Sequence, residues 1–192
     1  MMEEMQVDKR IIKTKNKLKT ALVSLLQTKK IDEVSILELT ELANINRKTF
    51  YLHYKSIPDV LKDIENSVIN ELRRVVGTLE LEIDTIDQYI YGVFNVILQD
   101  KLATTLIQKT NYYKVIFYSL EKILIDDCER RYKKENEDFS APLKYTIAHH
   151  VFGTTRLFCH WLRKDTNEDL HLFSRFITSL VLNGVSELFV VR

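Results

Sequence analysis

The chain has 192 residues and a formal net charge of +1, with 45% hydrophobic and 29% charged residues. A chain of this length forms one domain, or one domain with a small appendage, and buries a core without a disulfide or a metal. It contains only 4 glycines and 2 prolines, far below the roughly 12% that these two residues usually supply. An all-β sandwich or barrel needs a turn every ~8–12 residues and is therefore excluded. The composition predicts an all-α fold.

The cysteines and the first residues bear on the compartment. Cys128 and Cys159 are too few for a disulfide framework and favour a reducing compartment. The first residues lack the apolar core of a signal peptide, and no apolar run approaches the ~18 residues of a membrane helix. We therefore expect a cytoplasmic protein.

The small net charge hides an uneven distribution. Residues 9–56 carry eleven Lys or Arg against four Asp or Glu, which gives +7, whereas residues 1–8 and 57–192 each sum to −3. This asymmetry favours a polyanionic partner for the first third of the chain. The alternative is a solvated basic face on an amphipathic helix.

The N-terminal elements follow from periodicity and capping signals. Apolar residues at three- and four-residue steps, interleaved with lysines, predict a first helix over 8–28. Ser35 and Glu38 have the spacing of a capping box that begins a second helix, which ends near residue 43. Asn46 is typical of the N-cap of a short third helix over 47–53. Ser56 begins a fourth helix, with Pro58 and Asp59 in its first turn.

The remaining elements are also predicted to be helical. Leu79, Leu81 and Ile83 alternate with acids like a strand, but no pairing partner exists, so residues 77–85 are expected to form a loop or a frayed helix end. Thr166 with Asp169 repeats the capping spacing before the last helix. Together with the first four, further helices near 85–99, 102–109, 111–134, 141–164 and 167–190 give about nine.

The second and third helices fit a helix-turn-helix, a DNA-binding motif. Its turn usually holds a residue with left-handed backbone, and Asn44 tolerates that conformation. In the third helix the four-residue spacing turns Phe50 and Tyr54 inward and places Arg47, Lys48 and Tyr51 on another face. Side chains near the start of a recognition helix reach base edges, and others hold phosphates. The predicted DNA-contacting residues are Ser35, Asn46, Arg47, Lys48, Thr49, Tyr51, His53, Tyr54 and Lys55. The alternative is that Arg47 and Lys48 form a solvated cap and that Tyr51 is an ordinary half-buried aromatic residue.

The segment Ser35 to Leu61 closely resembles the DNA-binding domain of TetR-type transcriptional regulators. Thr49-Phe50-Tyr51 followed by His53-Tyr54 carries the resemblance. It implies a three-helix DNA-binding domain, here residues 1–56, and a helical body, residues 57–192, that binds a small ligand. It also implies a homodimer. The stretch from Phe152-Gly153 to Trp161-Leu162 resembles the body of a Firmicutes-type branch of that family.

One position departs from the family pattern. Members often place a phosphate-binding lysine at the start of the fourth helix, where this chain has Ile57 followed by Pro58. Lys55 could take over the contact. Ile57 is the sequence feature that favours an alternative function, a helical co-regulator or interaction protein of the same fold that does not read DNA. An enzyme ranks third, because no phosphate loop, nucleophile motif or paired carboxylates are found.

Aromatic and polar residues of the body suggest a site for an unknown small-molecule effector. For each aromatic residue taken singly, a place in the core is the stronger explanation. The expected ligand-binding residues are Tyr112, Tyr113, Phe117, His149, Phe152 and Arg156. No cofactor or metal site is predicted. His149 and His160 would lie about 16 Å apart on one helix, and Glu168 with His171 supplies only one Glu-x-x-His pair where a di-iron bundle needs two.

The last two helices carry apolar stripes that predict a dimer interface of four helices. The stripes include Leu143, Ile147, Val151, Leu157, Phe158, Leu162, Leu172, Phe173, Phe176, Ile177, Leu180, Val181, Val185 and Leu188. A two-fold dimer reads a roughly palindromic operator. The sequence thus predicts a dimeric regulator, most often a repressor in this family, whose DNA affinity falls when a ligand shifts the conformation of the body.

Overall fold

The computed structural model of the chain describes residues 2–110, 112–135, 140–164 and 168–184. These residues form nine α-helices and two short 3-10 helices, Ile31–Glu33 and Ile83–Thr85, with no strand. The predicted all-α fold is confirmed, and none of the described helices is long and apolar enough to cross a membrane. The helices are α1 Met2–Leu25, α2 Ile36–Ala43, α3 Arg47–His53, α4 Ile57–Thr78, α5 Ile86–Gln99, α6 Lys101–Lys109, α7 Tyr113–Glu135, α8 Ala141–Arg163 and α9 Leu170–Asn183.

Two hydrophobic clusters organise the chain, and α4 contributes to both. The first cluster joins α1, α2, α3 and the start of α4, where Val60 and Ile64 are buried. The second joins α4 to the helices that follow it, with Val68 and Leu72 buried. Because α4 is a continuous helix of 22 residues, about 33 Å long, it sets the distance and angle between the two clusters.

Helix α6 also lies between the clusters. Leu106 packs in the first cluster, whereas Ala103 and Ile107 on another side of the same helix pack in the second. The N-terminal helical unit (α1 to α3 with the start of α4) therefore rests directly on the C-terminal body (the rest of α4 with α5 to α9).

The body has an aromatic centre. The rings of Phe94 and Phe158 stack with centroids 3.8 Å apart, and Phe117 lies 6.2 Å from Phe158. On the other side, Trp161 stacks on Phe173 at 5.1 Å. These contacts connect α5, α7, α8 and α9, and Phe117 is the expected ligand-binding residue among them.

The ends of two helices differ from the predictions. Helix α1 covers Met2–Leu25 rather than 8–28, and its chain leaves the helix through turns at 26–28. Helix α9 begins at Leu170, because the Asp169 carboxylate accepts hydrogen bonds from the backbone N–H groups of His171 and Leu172. The helix thus begins three residues after the predicted start near 167. Thr166, Val185 and Leu188 lie outside the described residues.

The segment between α4 and α5 agrees with its prediction. Residues 79–82 are irregular and a 3-10 turn follows. Leu79 and Leu81 pack against the core of the body. Their alternation with acids therefore reflects one-sided burial in a loop and not a strand.

A buried carboxylate fixes the C-terminal end of α4. Asp127 is 4% exposed, and its Oδ2 accepts hydrogen bonds from the Tyr89 hydroxyl at 3.0 Å and from Arg131 Nε at 2.7 Å. Arg131 Nη2 donates in turn to the carbonyl oxygens of Val76 and Leu79, at 3.0 and 2.7 Å. Burial and the charge of Asp127 raise the pKa of Tyr89 well above its ordinary value, so the phenol remains a donor. Arg131 thus satisfies the carbonyls at the end of α4 and joins them to α5 and α7.

Replacing Asp127 tests this connection. Asp127→Ala leaves Arg131 and the Tyr89 hydroxyl without their shared acceptor, and breaking a buried pair by removing one partner costs about 3 kcal/mol. We expect the free energy of unfolding in urea to fall by about that amount. Asp126→Ala, at the exposed neighbouring position, is the matched control. Equal stability of the two variants would contradict the proposed connection.

Candidate nucleic-acid interface

The turn between α2 and α3 has the geometry that a helix-turn-helix requires. Asn44 caps the end of α2 with φ 51° and ψ 54°, in the left-handed region. Its backbone N–H and that of Ile45 donate to the carbonyl oxygens of Glu41 and Thr40, at 3.0 and 2.9 Å. The prediction that Asn44 replaces the usual glycine is confirmed. The left-handed backbone of Asn44 therefore turns the chain sharply, so that α3 begins soon after α2 ends.

Side-chain caps fix where the two helices begin. Ser35 Oγ accepts from the Glu38 N–H at 3.1 Å, and Asn46 Oδ1 accepts from the Lys48 N–H at 2.8 Å. The predicted return contact from Glu38 to the cap is wrong. Its carboxylate pairs instead with Lys29 Nζ at 2.5 Å, which joins α2 to the turn after α1. Ser35 and Asn46 are exposed and lie at helix starts, where free backbone N–H groups suit phosphate oxygens.

The inner face of α3 is anchored in the first hydrophobic cluster. Phe50 is fully buried, and the Tyr54 ring is only 5% exposed. The Tyr54 hydroxyl donates to Asp63 Oδ2 on α4 at 2.7 Å. Tyr54 was expected among the DNA-contacting residues because it belongs to the family motif, but its burial leaves no surface for a direct contact. It is a positioning residue that holds the end of α3 against α4.

Asp63 collects ties from α1 as well. Lys15 Nζ and Lys19 Nζ lie 3.4 and 3.3 Å from its Oδ2, and Lys19 Nζ also donates to Ser67 Oγ at 3.2 Å. Burial raises the pKa of Asp63, but the hydrogen bond from Tyr54 and the two ammonium groups outweigh it and hold the pKa below its ordinary value. Asp63 therefore stays ionised and binds α1, α3 and α4 together.

The outer face of α3 presents most of the remaining predicted side chains to solvent. Arg47, Lys48 and Tyr51 are exposed. Arg47 Nη2 donates to the Tyr51 hydroxyl at 3.3 Å, and its guanidinium carbon lies 5.7 Å from the centre of the Tyr51 ring. These contacts orient both side chains before any partner arrives. Thr49 and His53 are half-buried on α3.

Leu52 is a candidate that the sequence reasoning missed. Its side chain is 79% exposed, the largest value among the exposed large hydrophobic residues described. It lies one turn after Lys48, so the two share the outer face of α3. An exposed apolar side chain on a recognition helix fits the methyl group of thymine. Its four-residue spacing from Lys48 is the signal in the sequence that could have identified it.

A basic stripe on α1 extends the positive surface. Lys9, Lys13 and Lys17 recur every four residues and line a groove between α1 and α2, together with the exposed Leu42. Lys15 and Lys19 point to the other side and are occupied by Asp63. The charge of +7 in residues 9–56 is thus divided between an internal tie and an outward stripe.

The position that departs from the family pattern lies inside the fold. Ile57 is buried in the first cluster, whereas Lys55, two residues earlier, is exposed. The Asp59 carboxylate accepts from the backbone N–H groups of Lys55 and Ser56, at 3.1 and 2.9 Å. These bonds fix the backbone that carries Lys55 beside the start of α4.

The six expected ligand-binding residues do not line one cavity. Phe117 is core, and Tyr113 packs on the Arg163 guanidinium, 4.7 Å from its ring centre. Tyr112 lies between the two halves of the chain, where its hydroxyl oxygen accepts from the Ile31 N–H at 2.8 Å. The other three residues, His149, Phe152 and Arg156, lie on α8.

Helices α8 and α9 expose an apolar surface. His149 lines a groove of about 350 Å³ between these two helices. Phe152 and Arg156 point outward, and Arg156 Nε lies 3.7 Å from Glu121 Oε1. The exposed large hydrophobic side chains of the two helices are Tyr145, Phe152, Leu157, Leu172, Phe176 and Leu182.

No protein-family model and no curated protein matches the sequence. Solved structures do match. The TetR transcriptional regulator from Streptococcus agalactiae 2603V superposes with a TM-score of 0.63 at 20% identity, over 93% of this chain and 98% of that one.

Two further structures show the same architecture. The regulator FadR from Bacillus subtilis, solved in complex with stearoyl-CoA, gives a TM-score of 0.62 at 14% identity, over 88% of this chain and 97% of that one. NalD of Pseudomonas aeruginosa, the secondary repressor of the MexAB-OprM efflux pump, gives 0.63 at 14% identity, over 92% and 97%. The predicted TetR-type fold is confirmed, and this chain has the fold of these transcriptional regulators.

The tie at Asp63 makes a prediction about pH. Since folding lowers the pKa of Asp63, its contribution to stability is present above the unfolded value of about 3.9 and is lost as the pH falls through the folded value. We expect the wild-type chain to be more stable than Asp63→Asn at neutral pH, with the gap closing below about pH 4. Urea unfolding at several pH values measures it, with Asp126→Asn as the control. A gap that stays constant down to pH 3 would contradict the assignment.

Proposed function

We propose that this chain is a sequence-specific DNA-binding transcriptional regulator, a ligand-responsive repressor that acts as a homodimer on a near-palindromic operator. One observation carries the proposal. A left-handed turn at Asn44 presents α3, anchored by Phe50 and Tyr54, with exposed Arg47, Lys48 and Leu52 on its outer face. In this proposal residues 1–56 are the DNA-binding domain and residues 57–192 the regulatory body.

The outer face of α3 offers the chemistry of base recognition. The Arg47 guanidinium suits the two acceptors of guanine, and Thr49 and Leu52 suit a thymine methyl group. Tyr51 already holds Arg47 through its hydroxyl and ring. This support lowers the conformational entropy that Arg47 loses on binding.

Contacts to phosphate come from the edges of the same surface. The helix starts at Ser35 and Asn46 and the exposed Lys55 flank α3, and His53 is half-buried at its end. Such contacts position the protein without reading sequence. Ile57 is buried in the hydrophobic cluster, so it takes no surface away from the interface. The buried Ile57 therefore does not favour the alternative function, a co-regulator that reads no DNA. The DNA-binding experiment below distinguishes the two functions.

The apolar surface of α8 and α9 supports the homodimer. Leu172 and Phe176 lie one turn apart on α9 and are exposed, whereas Ser174 and Ile177 of the same helix are buried in the body. Helix α9 is therefore apolar on two sides. The body covers one side, and the other side needs a second surface to cover it. Two such helices from each chain form a four-helix interface. The two-fold axis then places two recognition helices on two half-sites.

Repression and its control by a ligand are supported by the fold. NalD, which shares this architecture, is a repressor, and the FadR structure holds stearoyl-CoA. In this chain α4 connects the two hydrophobic clusters. A ligand that favours a different angle of α4 changes the spacing of the two recognition helices and weakens operator binding.

Selection from a random pool of double-stranded DNA tests whether the chain reads sequence. We expect an enriched near-palindromic site, bound with an affinity that falls steeply with salt. Failure to enrich any sequence would favour the co-regulator.

Variants of α3 separate base contacts from phosphate contacts. On the selected site, Arg47→Ala should lose about 1–3 kcal/mol and relax the preference at one position of each half-site. Lys55→Ala should weaken selected and random DNA alike and reduce the salt slope. Anisotropy titrations measure both. Lys122→Ala, an exposed lysine on α7, is the control. Equal losses from all three variants would contradict the roles assigned.

The dimer is tested separately. Phe176→Glu places a charge in the proposed interface, and we expect it to shift the chain from dimer to monomer in sedimentation velocity. Tyr118→Glu changes an aromatic residue on α7 that is even more exposed than Phe176 and should leave the dimer intact. A dimer that persists in Phe176→Glu and is lost in Tyr118→Glu would place the interface elsewhere.

A further inference from the structure

A cavity of about 360 Å³ lies between the N-terminal helical unit and the body, and we call it the junction cavity. One wall is the connection after α1, residues 26–30 with Glu33. The other wall is the end of α6, Tyr112 and Arg163 at the end of α8. Its volume falls in the range of small-molecule sites. Since both halves of the chain supply walls, a bound molecule would touch both.

The junction cavity is rich in positive charge. Its lining includes four cations, Lys29, Lys30, Lys109 and Arg163, against one carboxylate, Glu33. Lys29 is paired with Glu38. Among the described residues, no carboxylate pairs with Lys30 or Lys109. A cleft lined by one sign of charge concentrates counter-ions of the opposite sign.

Hydrogen bonds hold the walls in place. Arg163 Nη1 donates to the carbonyl oxygens of Ile107 and Thr110, at 2.6 and 2.9 Å, and its guanidinium packs on Tyr113. Gln108 Nε2 donates to the Leu162 carbonyl at 3.1 Å. The end of α6 is thus tied to the end of α8. Arg163 is oriented by these bonds, and its guanidinium has further N–H groups to donate.

Tyr112 closes the cavity between the two halves. Its hydroxyl oxygen accepts the Ile31 N–H, which leaves the hydroxyl proton for another acceptor. Tyr112 and Ile31, the two residues that this bond joins, are both half-buried. A phosphate or carboxylate oxygen could accept from Tyr112 while lying between Lys30 and Lys109.

We propose that the junction cavity binds a small polyanion, a phosphorylated or multiply carboxylated metabolite, which Lys30 of the N-terminal unit and Lys109 and Arg163 of the body hold together. Phosphate and carboxylate oxygens both take charge-assisted hydrogen bonds from lysine and arginine. Binding favours the arrangement of the two halves seen here. The effect on operator affinity follows by linkage and rests on the proposed function, whereas the binding itself does not.

Calorimetric titration of the full-length chain with inorganic pyrophosphate tests the site, and citrate serves as the carboxylate arm. We expect saturable binding of one anion per chain and a rise in the thermal midpoint with anion concentration. The tighter of the two probes identifies the phosphate or the carboxylate class. The double variant Lys30→Ala, Lys109→Ala should lose about tenfold in affinity. The Glu33 carboxylate accepts a hydrogen bond from the Lys30 backbone N–H. Glu33→Gln keeps an acceptor for that bond but removes the one negative charge of the lining, so this variant should bind the anions more tightly.

Lys122→Ala is the matched control and should bind as the wild type does. Absence of saturable binding of either probe, or an equal loss in Lys122→Ala, would overturn the proposal in favour of diffuse attraction of anions. Loss of DNA affinity in the double variant without any small anion, together with no saturable binding of either probe, would overturn it in favour of a DNA phosphate as occupant. If no DNA sequence is selected, calorimetry still shows whether the junction cavity binds an anion. A failure of the anion site can therefore be told apart from a failure of the proposed function.

Discussion

The carboxylate of Asp63 is the interaction on which the arrangement of the N-terminal unit depends. It accepts the Tyr54 hydroxyl from the end of α3 and pairs with Lys15 and Lys19 of α1. The hydrophobic cluster around Phe50 is nondirectional and would tolerate small rotations of α3. A charged acceptor that three side chains share has a narrower geometry. Asp63 therefore adds direction to the packing, and it does so from α4, the helix that also enters the body.

This arrangement changes the meaning of the charge asymmetry. Some lysines of the basic segment 9–56 form ion pairs within the fold. Lys15 and Lys19 pair with Asp63, and Lys29 pairs with Glu38. The stripe of Lys9, Lys13 and Lys17 faces outward. A sum over the sequence cannot separate these groups, because the partner of Lys19 is 44 residues away. The excess that remains for a polyanion is smaller than +7 and lies at the surface of α1 and α3.

The sequence predicted local structure well, and long-range structure only where a motif encoded it. Asn44, Ser35 and Asn46 act within a few residues of their own positions, so their caps and the left-handed turn were readable. The inward turn of Phe50 followed from helical spacing. The inward turn of Tyr54 followed from the same spacing, but its hydrogen bond to Asp63 in the next helix did not. The expected ligand residues failed to converge for the same reason: Tyr112, Phe117 and Phe152 are placed by packing between distant helices, which no local pattern reports.

The two ends of α4 are held in different ways, and this difference bears on how the halves could communicate. Near its start, Asp63 joins it to α1 and α3, while at its end Arg131 binds the carbonyl oxygens of Val76 and Leu79. A rigid helix with both ends tied transmits a rotation of either end to the other. The junction cavity lies between the same two halves, and the connection after α1, the end of α6, Tyr112 and Arg163 form its walls. An anion there would act on the angle between the halves directly, without first repacking the aromatic centre around Phe94 and Phe158. Repacking a dense core costs roughly 1–3 kcal/mol, a cost that the proposed binding of an anion at the junction would avoid because it leaves the aromatic centre unchanged.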